Sequence, residues 1–476
     1  MTLGGELLQM SPPGTVSTGH SESGKREGMN SSAFNRLGES VQQFDVSGRR
    51  LLVPDMSPTG SRLIAASFRA VGADAVVMDT YKGLALGREY TSGKECFPCQ
   101  VTLGDILHHL EGERRRMGSD FKPERYVYFL PEADGPCRFG MYNKLQRLVL
   151  DRFDSYRSVP IVYISTKNNY ATADIVPPGK SSYFRKLSYV AVIIADVLDR
   201  MTCRVRPYER EPGSTDAFMG RALDSMVKAV ESMGPELDFG RLLSRLAGIS
   251  GEARSLMKAG ERRRPKIGII GEIYLRTHPH SNQDIIRKLE TYGGEVVNAS
   301  LGEWINFVNY ESIRKAEHQW RKAWRERSHG GLRQAFKQWL GLKIEQVYQR
   351  WRQGQVYRAV LEHLDIEPDH SIATVQRRLE RNSLFHFAIG TEAVLSIGGA
   401  LEYVHHGFDG VVNVFPFTCM PSTIASSVLR PMLHEMKIPY LDAPYDGAIQ
   451  PNREAALRTF MYQAGQHRDS SGRGKE

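Results

Sequence analysis

A chain of 476 residues is long enough for about two to four domains that each bury their own core. Its five cysteines are too few for a disulfide-stapled secreted scaffold, and no leader-like apolar run opens the chain, so we expect a reducing, cytoplasmic location. The most apolar stretch, "LSYVAVIIADVL" at 187–198, is shorter than the roughly 18 apolar residues of a membrane span. The composition therefore excludes a membrane protein and a disulfide scaffold.

Residues 1–45 are rich in Ser, Gly and Pro without an apolar period, which predicts a disordered tail. Strand and helix patterns then alternate from residue 46 to 170. The predicted strands are "LLVPDM", "DAVVMD", "YVYFLPEA" and "VPIVYIST". Such alternation predicts a first Rossmann-like α/β domain with a parallel sheet. The segment 171–264 is predicted to be mostly helical.

A second α/β pattern covers residues 265–465, and residues 466–476 are predicted to be a disordered tail. The predicted strands of this second part are "PKIGIIGEIY", "EVVNA", "FDGVVNVFP" and "IPYLDAPYDG". A basic helical insertion is predicted at 310–365. The predicted fold class is α/β, with two Rossmann-like doubly wound parallel-sheet domains that face each other across a cleft. Ligands of such sheets bind beyond the carboxyl ends of the strands.

The formal net charge of +9 is concentrated in the segment 314–358. This segment contains twelve Lys or Arg residues and three Glu, so it carries the whole positive excess, and it also holds four of the five tryptophans. Interleaved aromatic and basic residues can form a stacking platform for single-stranded nucleic acid. The helical spacing of the aromatic residues and the "SHGG" turn at 328–331 favour instead a pair of amphipathic helices with arginines on the solvent face.

Four of the five cysteines follow predicted strands. Cys96 and Cys99 lie three positions apart in "KECFPCQ", Cys137 lies in "DGPCRFG", and Cys419 lies in "PFTCMPS". Four thiolates are the usual ligands of a [4Fe–4S] cluster and also of a structural zinc ion. A zinc ribbon normally has two close pairs of cysteines, whereas this chain has one close pair and two distant single cysteines. This spacing favours an iron–sulfur cluster that lies between two domains. Cys203, in a helical stretch, is predicted to be an ordinary buried thiol.

Two other functions are compatible with parts of this pattern. Cys96 and Cys99 precede a predicted helix, whose N-terminus lowers the pKa of a thiol, so they could form the dithiol couple of an oxidoreductase. A dithiol couple does not require Cys137 or Cys419. The third alternative is a nucleic-acid-binding protein that uses the basic segment 314–358.

The cysteine blocks also carry a family resemblance. "YTSGKECFPCQVTLGDIL", "GPCRFGMYNKLQRLVLD", "RPYEREPGSTD" and "FPFTCMPSTIASSVL" resemble, in this order, the activase-related branch of the 2-hydroxyacyl-CoA dehydratase and benzoyl-CoA reductase superfamily. Together with the strand and helix blocks between them, the resemblance covers residues 51–462. It implies an oxygen-sensitive iron–sulfur protein, with a [4Fe–4S] or double-cubane cluster, that receives low-potential electrons from an ATP-hydrolysing activase.

The resemblance also implies roles for individual residues. Cys96, Cys137 and Cys419 lie in blocks similar to cluster-ligand loops, and Cys99 is the expected fourth ligand. An acyl-CoA is the substrate class that the resemblance implies. No activase ATPase domain is recognisable in the chain, so we expect the activase to be a separate polypeptide. No CoA pocket is recognisable either, so the reaction does not follow from the cluster.

Overall fold

The computed structural model describes residues 46–172, 175–381 and 385–471; the predicted tail 1–45 lies outside the described residues. The protein is an α/β structure with two four-stranded parallel sheets, as the alternating strand and helix patterns predict. Seven of the eight described strands fall within the predicted stretches, and the first strand starts one residue before its stretch, at Arg50. No helix in the described part of the chain combines the length and the apolar character that a membrane crossing requires.

The first sheet has the strand order β2-β1-β3-β4, and every neighbouring pair is parallel. Leu51 and Leu52 are both fully buried, although successive side chains of a strand point to opposite faces. Helices therefore cover both faces of this sheet, which explains its uninterrupted apolar strands. The elements of this part are β1 (Arg50–Val53), α1 (Pro58–Ala70), β2 (Asp74–Val77), α2 (Leu84–Glu89), α3 (Phe97–Met117), β3 (Tyr126–Phe129), α4 (Tyr142–Leu150) and β4 (Ile161–Val162).

Three helices follow the first sheet: α5 (Ser181–Val205), α6 (Ser214–Glu231) and α7 (Phe239–Ser255). Most of α5 is buried, because its apolar residues pack against α1 on one side and against α6 and α7 on another. This helix is therefore the centre of the largest apolar cluster.

The second sheet has the strand order β6-β5-β7-β8 and is also entirely parallel. Every residue of β7 is buried, so this strand is central. The strands are β5 (Lys266–Gly271), β6 (Glu295–Asn298), β7 (Gly410–Pro416) and β8 (Tyr440–Tyr445). The helices around them are α8 (Ile273–Thr277), α9 (Pro279–Asn282), α10 (Ile285–Thr291), α13 (Ile372–Arg381), α14 (Glu392–His405), α15 (Met420–Glu435) and α16 (Arg453–Ser470), with α11 and α12 between β6 and α13.

The basic segment forms a hairpin of two long helices, α11 (Leu301–Arg325) and α12 (His329–Leu361). The turn lies at the predicted position, and the Ser328 hydroxyl caps α12 by accepting a hydrogen bond from the backbone of Gly331. The hairpin begins directly after β6, nine residues before the predicted insertion at 310–365. Helix α11 begins this early because the Ser300 hydroxyl caps it, accepting a hydrogen bond from the backbone of Glu303.

Two further expectations are corrected by the structure. We predicted amphipathic helices with arginines on the solvent face, but Trp324 and Trp351 are also 68% and 53% exposed. Trp320 and Trp339 do pack between the two helices, where they contact Phe336 and Glu317, respectively. We also predicted a disordered tail at 466–476, but α16 continues to Ser470. The described end of this helix is held by a hydrogen bond from Arg468 to the Arg263 carbonyl.

Candidate functional site

The predicted cysteine loops lie where the two sheets reverse their strand order. In each sheet the second strand, β2 or β6, pairs with one side of the first strand, β1 or β5, and the third strand, β3 or β7, pairs with its other side. Ligands of open parallel sheets bind at such switch points. Cys137 lies in the loop after β3, and Cys419 lies in the loop after β7. Glu272 directly follows β5. The loops that we predicted to carry a ligand are therefore at the carboxyl ends of the central strands.

Three cysteines occupy the N-terminal caps of helices. Cys96 precedes α3, Cys419 precedes α15, and Cys137 precedes the short 3-10 turn Arg138–Met141 that leads into α4. A proline at the second position of α3 and of α15, in "CFP" and "CMP", fixes the backbone of the first turn. Because the N-terminus of a helix carries a partial positive charge, these positions stabilise a thiolate.

Arg138 ties the three cysteine loops together. Its guanidinium donates hydrogen bonds to the carbonyl of Lys94, two residues before Cys96, and to the carbonyl of Thr418, directly before Cys419, with an Nη2 to O distance of 2.6 Å in the second bond. Arg138 itself follows Cys137. One side chain therefore holds all three loops, and it joins the first α/β unit to the second.

The loop of Cys419 has a strained backbone. Thr418 has a φ of 67°, in the left-handed region that a β-branched residue rarely adopts. This conformation directs the Thr418 carbonyl to Arg138. Backbone strain of this kind persists only where surrounding contacts hold it, and it is concentrated at functional sites.

Two carboxylates lie beside the thiols. Glu272 caps α8 and accepts hydrogen bonds from the backbone nitrogens of Tyr274 and Leu275 at 3.0 and 2.9 Å. Glu392 is the first residue of α14, and within the described residues its Oε2 is buried without a hydrogen-bond partner. Burial and the neighbouring charge of Glu272 raise the pKa of Glu392 to about 8. A carboxyl that is half-buried beside a second carboxylate is thus held largely protonated at neutral pH.

The electrostatics show which groups share the site. Burial is the main cause that raises the pKa values of Cys96, Cys137 and Cys419, and the charges of Glu272 and Glu392 raise all three further. The Tyr142 hydroxyl donates a hydrogen bond to Cys96, and the charge of Arg138 also favours the Cys96 thiolate. The three thiols and the two carboxyl groups therefore form one cluster, which we call the cysteine site.

Cys99, the expected fourth ligand, lies three residues after Cys96, and the charges of Cys96 and Arg138 act on its thiol. We predicted it in a loop, but α3 begins at Phe97, so Cys99 lies in the first helical turn. It is 1% exposed, belongs to the apolar cluster of Leu103 and Ile106, and has Gln146 as its hydrogen-bond partner. Burial raises its pKa to about 12. The helix starts this early because a proline, which is favourable in the first turn, occupies its second position and no helix-breaking residue follows directly.

Among the described residues, no three His, Cys, Asp or Glu side chains are close enough together to hold a single metal ion.

A solvent-accessible pocket of about 380 Å³ adjoins the cysteine site. Its wall includes the residues on both sides of Cys96, and also the residue two positions before Cys419. Polar groups of both signs line it, and Arg88 is fixed by a hydrogen bond to the Asp446 carbonyl. The wall is formed in part by Arg88, Ser92, Glu95, Phe97, Phe417 and Asp446. A small molecule in this pocket would lie beside two of the three cysteine loops.

Sequence reasoning missed Glu392 and underestimated Arg138. A glutamate in the first turn of a helix is common because it favours the helix dipole, so "GTEAVL" gives no sign of a site. In the sequence, Arg138 stands out only as a cation beside Cys137. Its link to the loop of Cys419, 282 residues farther along than Cys137, depends on how the two units pack.

Comparison with models of known protein families finds no match, and no curated protein matches the chain. The family resemblance described above therefore depends on the quoted sequence blocks alone. Its implications for cofactor, partner and reaction are taken up as proposals.

Proposed function

We propose that this protein is the cluster-bearing component of an ATP-dependent electron-transfer system, in which Cys96, Cys137 and Cys419 hold an iron–sulfur cluster. The observation that carries the proposal is the cysteine site, where three loops from two α/β units meet around Arg138. In this proposal the two units are Rossmann-like domains that face each other across a cleft, with the cluster between them. The location is cytoplasmic.

The side chains of the cysteine site have distinct roles in this proposal. Cys96, Cys137 and Cys419 are the thiolate ligands, and burial of the thiols is compatible with this role because binding to iron deprotonates a thiol outright. A bound cluster of [4Fe–4S] or double-cubane type would supply one-electron transfer at low potential. Arg138 and Tyr142 donate hydrogen bonds that keep the loops and the Cys96 sulfur in place. Cys99, which the charge of Cys96 also reaches, is the fourth ligand in this proposal, as the family resemblance implies.

The electron donor is a separate ATP-hydrolysing activase, as the family resemblance implies. The protein then acts as a low-potential electron carrier, or as a reductase or dehydratase component whose substrate is an acyl-CoA or another small molecule. The pocket lined by Arg88 and Phe417 is the nearest space for such a substrate. Glu392, protonated at neutral pH, can keep or release a proton at its unpartnered Oε2.

The dithiol alternative has less support. A redox couple needs a thiolate with a lowered pKa, whereas burial raises the pKa values of Cys96 and Cys99. A dithiol couple also leaves Cys137 and Cys419 without a function. The nucleic-acid alternative depends on the hairpin of α11 and α12 and not on the cysteine site.

Metal analysis of single cysteine variants tests the proposal. Protein purified without oxygen should lose most of its iron in Cys96→Ser, Cys137→Ser or Cys419→Ser, because a hydroxyl is a poor ligand for the soft cluster iron. The matched control is Cys203→Ser, since Cys203 is also buried but lies in α5. Equal iron loss in all four variants, or iron retained in the first three, would refute the assignment of ligands.

A further inference from the structure

Helix α12 has a row of exposed apolar side chains along one face. Phe336, Leu340, Ile344, Val347 and Trp351 are 46%, 43%, 63%, 68% and 53% exposed, respectively. Their spacings of four, four, three and four residues place them on one line along the helix. At 100° per residue they span roughly 80° of the circumference and about 22 Å of length. We refer to these five residues as the apolar stripe.

The apolar stripe faces away from the body of the protein. The opposite face of α12 is buried through Gln349 and Val356. On that same inner side, Glu345 forms an ion pair with Arg185 and accepts a hydrogen bond from Asn169. Because the inner face is fixed by these contacts, rotation of the helix cannot bury the stripe. Apolar surface of this extent on a soluble protein indicates an interaction site.

The charged residues of α12 that border the apolar stripe are all basic. Lys337 lies on one side of the line, Lys343 and Arg350 lie on the other, and Arg333 and Arg358 lie near its two ends. Among the described residues, no carboxylate forms an ion pair with Arg333, Lys337 or Arg350, and the pair of Lys343 with Glu317 is long, at 3.8 Å. The carboxylate of Glu345 lies on the inner side. The surface is therefore apolar along its centre and cationic along its edges.

The shape and chemistry of the stripe favour a helix as the occupant. A narrow stripe with three- and four-residue spacing is the surface that a helix uses to pack against another helix. Three of the five stripe residues, Leu340, Ile344 and Val347, are aliphatic and offer no ring on which a nucleic-acid base can stack. A helix that lies on a membrane has a broader apolar face than this line. A second copy of α12 would bring basic edges against basic edges, which repel.

We infer that the apolar stripe of α12 binds an amphipathic helix of a partner protein, about four turns long, whose apolar face is bordered by Glu or Asp. The acidic borders of this helix pair with Lys337, Lys343 and Arg350, and its apolar residues cover the stripe. The inference does not depend on the iron–sulfur proposal, because no residue of the cysteine site takes part.

Binding of a designed probe tests this inference with the full-length protein. The probe is a fluorescently labelled peptide of about three heptads, with Leu at the a and d positions and Glu at the e and g positions. A matched peptide carries Lys in place of each Glu. Fluorescence anisotropy should show binding of the acidic peptide and at least tenfold weaker binding of the basic peptide, because only the acidic edges complement the surface.

Variants of the stripe locate the binding. Ile344→Ser combined with Val347→Ser should weaken binding of the acidic peptide at least tenfold, since the peptide then covers two hydroxyls instead of two aliphatic side chains. Both positions are exposed, so thermal unfolding should not change. The control is Ile449→Ser, at an isoleucine that is 87% exposed and lies in the loop after β8, outside the hairpin, which should leave binding unchanged. Lys337→Glu combined with Arg350→Glu should reverse the preference between the two peptides.

Five outcomes would overturn the inference. Absence of binding by the acidic peptide, or equal binding of both peptides, would show that the surface does not select an acidic helix. Self-association of the unaltered protein in analytical ultracentrifugation that disappears in the double serine variant would identify a second copy as the occupant. Tight binding of oligo(dT), or of vesicles that contain phosphatidylserine, with loss in the same variant would assign the stripe to nucleic acid or to a membrane surface.

Discussion

Replacement of Arg138 by methionine should loosen two distant cysteine loops at once. Methionine keeps an unbranched side chain and removes both hydrogen bonds, to the carbonyls of Lys94 and Thr418. A hydrogen bond that involves a charged group stabilises a structure by about 1.5–3 kcal/mol, and partial exposure of Arg138 to water reduces this value. We expect the closed arrangement of the loops to lose about 2 kcal/mol in total, which corresponds to a roughly 30-fold larger opening equilibrium.

Hydrogen exchange measured by mass spectrometry reports this opening. Backbone amides in segments 92–100 and 417–423 should exchange about 30-fold faster in Arg138→Met than in the unaltered protein. The control is Arg115→Met, which removes an exposed ion pair with Glu111 on α3 and should leave both segments unchanged. If exchange in both segments stayed the same in Arg138→Met, the view that this side chain joins the loops would be wrong.

Two further predictions concern stability. Burial raises the pKa of Asp105 to about 7, so the neutral carboxyl favours the folded state at low pH, and this contribution is lost as the pH rises from about 4 to about 7. Asp105→Asn should therefore flatten the decline of the unfolding free energy between about pH 4 and about pH 7 in urea titrations, and an unchanged slope would contradict the raised pKa. In Gly104→Ala the new Cβ would lie 2.2 Å from the Gly83 carbonyl oxygen. We therefore expect the free energy of unfolding, measured by thermal unfolding, to fall by about 1–3 kcal/mol. Gly112→Ala in the same helix has open space and should raise stability by about 0.5–1 kcal/mol, and equal effects of the two substitutions would refute the packing argument.

The sequence predicted the sheets well because strands that are covered on both faces consist of uninterrupted apolar residues. β7, for example, is buried throughout, and "FDGVVNVFP" contains it completely. Strand ends were less accurate. "LLVPDM" was predicted as one strand, but β1 ends at Val53, because Pro54 has no N–H group for the ladder.

The composition of the site was predictable only in part. Positions of Cys137 and Cys419 after strands followed from local patterns, and the structure places both at switch points. The placement of Cys99 in a helix was not predictable, since it depends on where α3 begins. The exposed side of α12 could not be predicted either: its apolar residues have ordinary helical spacing, and only the contacts of Glu345 and Gln349 with the body determine which face remains outside.

The cofactor content of the unaltered protein, purified without oxygen, tests the central proposal most directly. Iron, acid-labile sulfide and zinc should be quantified in the same sample, and electron paramagnetic resonance should be recorded after reduction with dithionite. We predict a brown protein with about four irons or more per chain, an equivalent amount of sulfide and a signal from the reduced cluster. One zinc per chain without iron, or a colourless protein without either metal after reconstitution with iron and sulfide, would contradict the proposal.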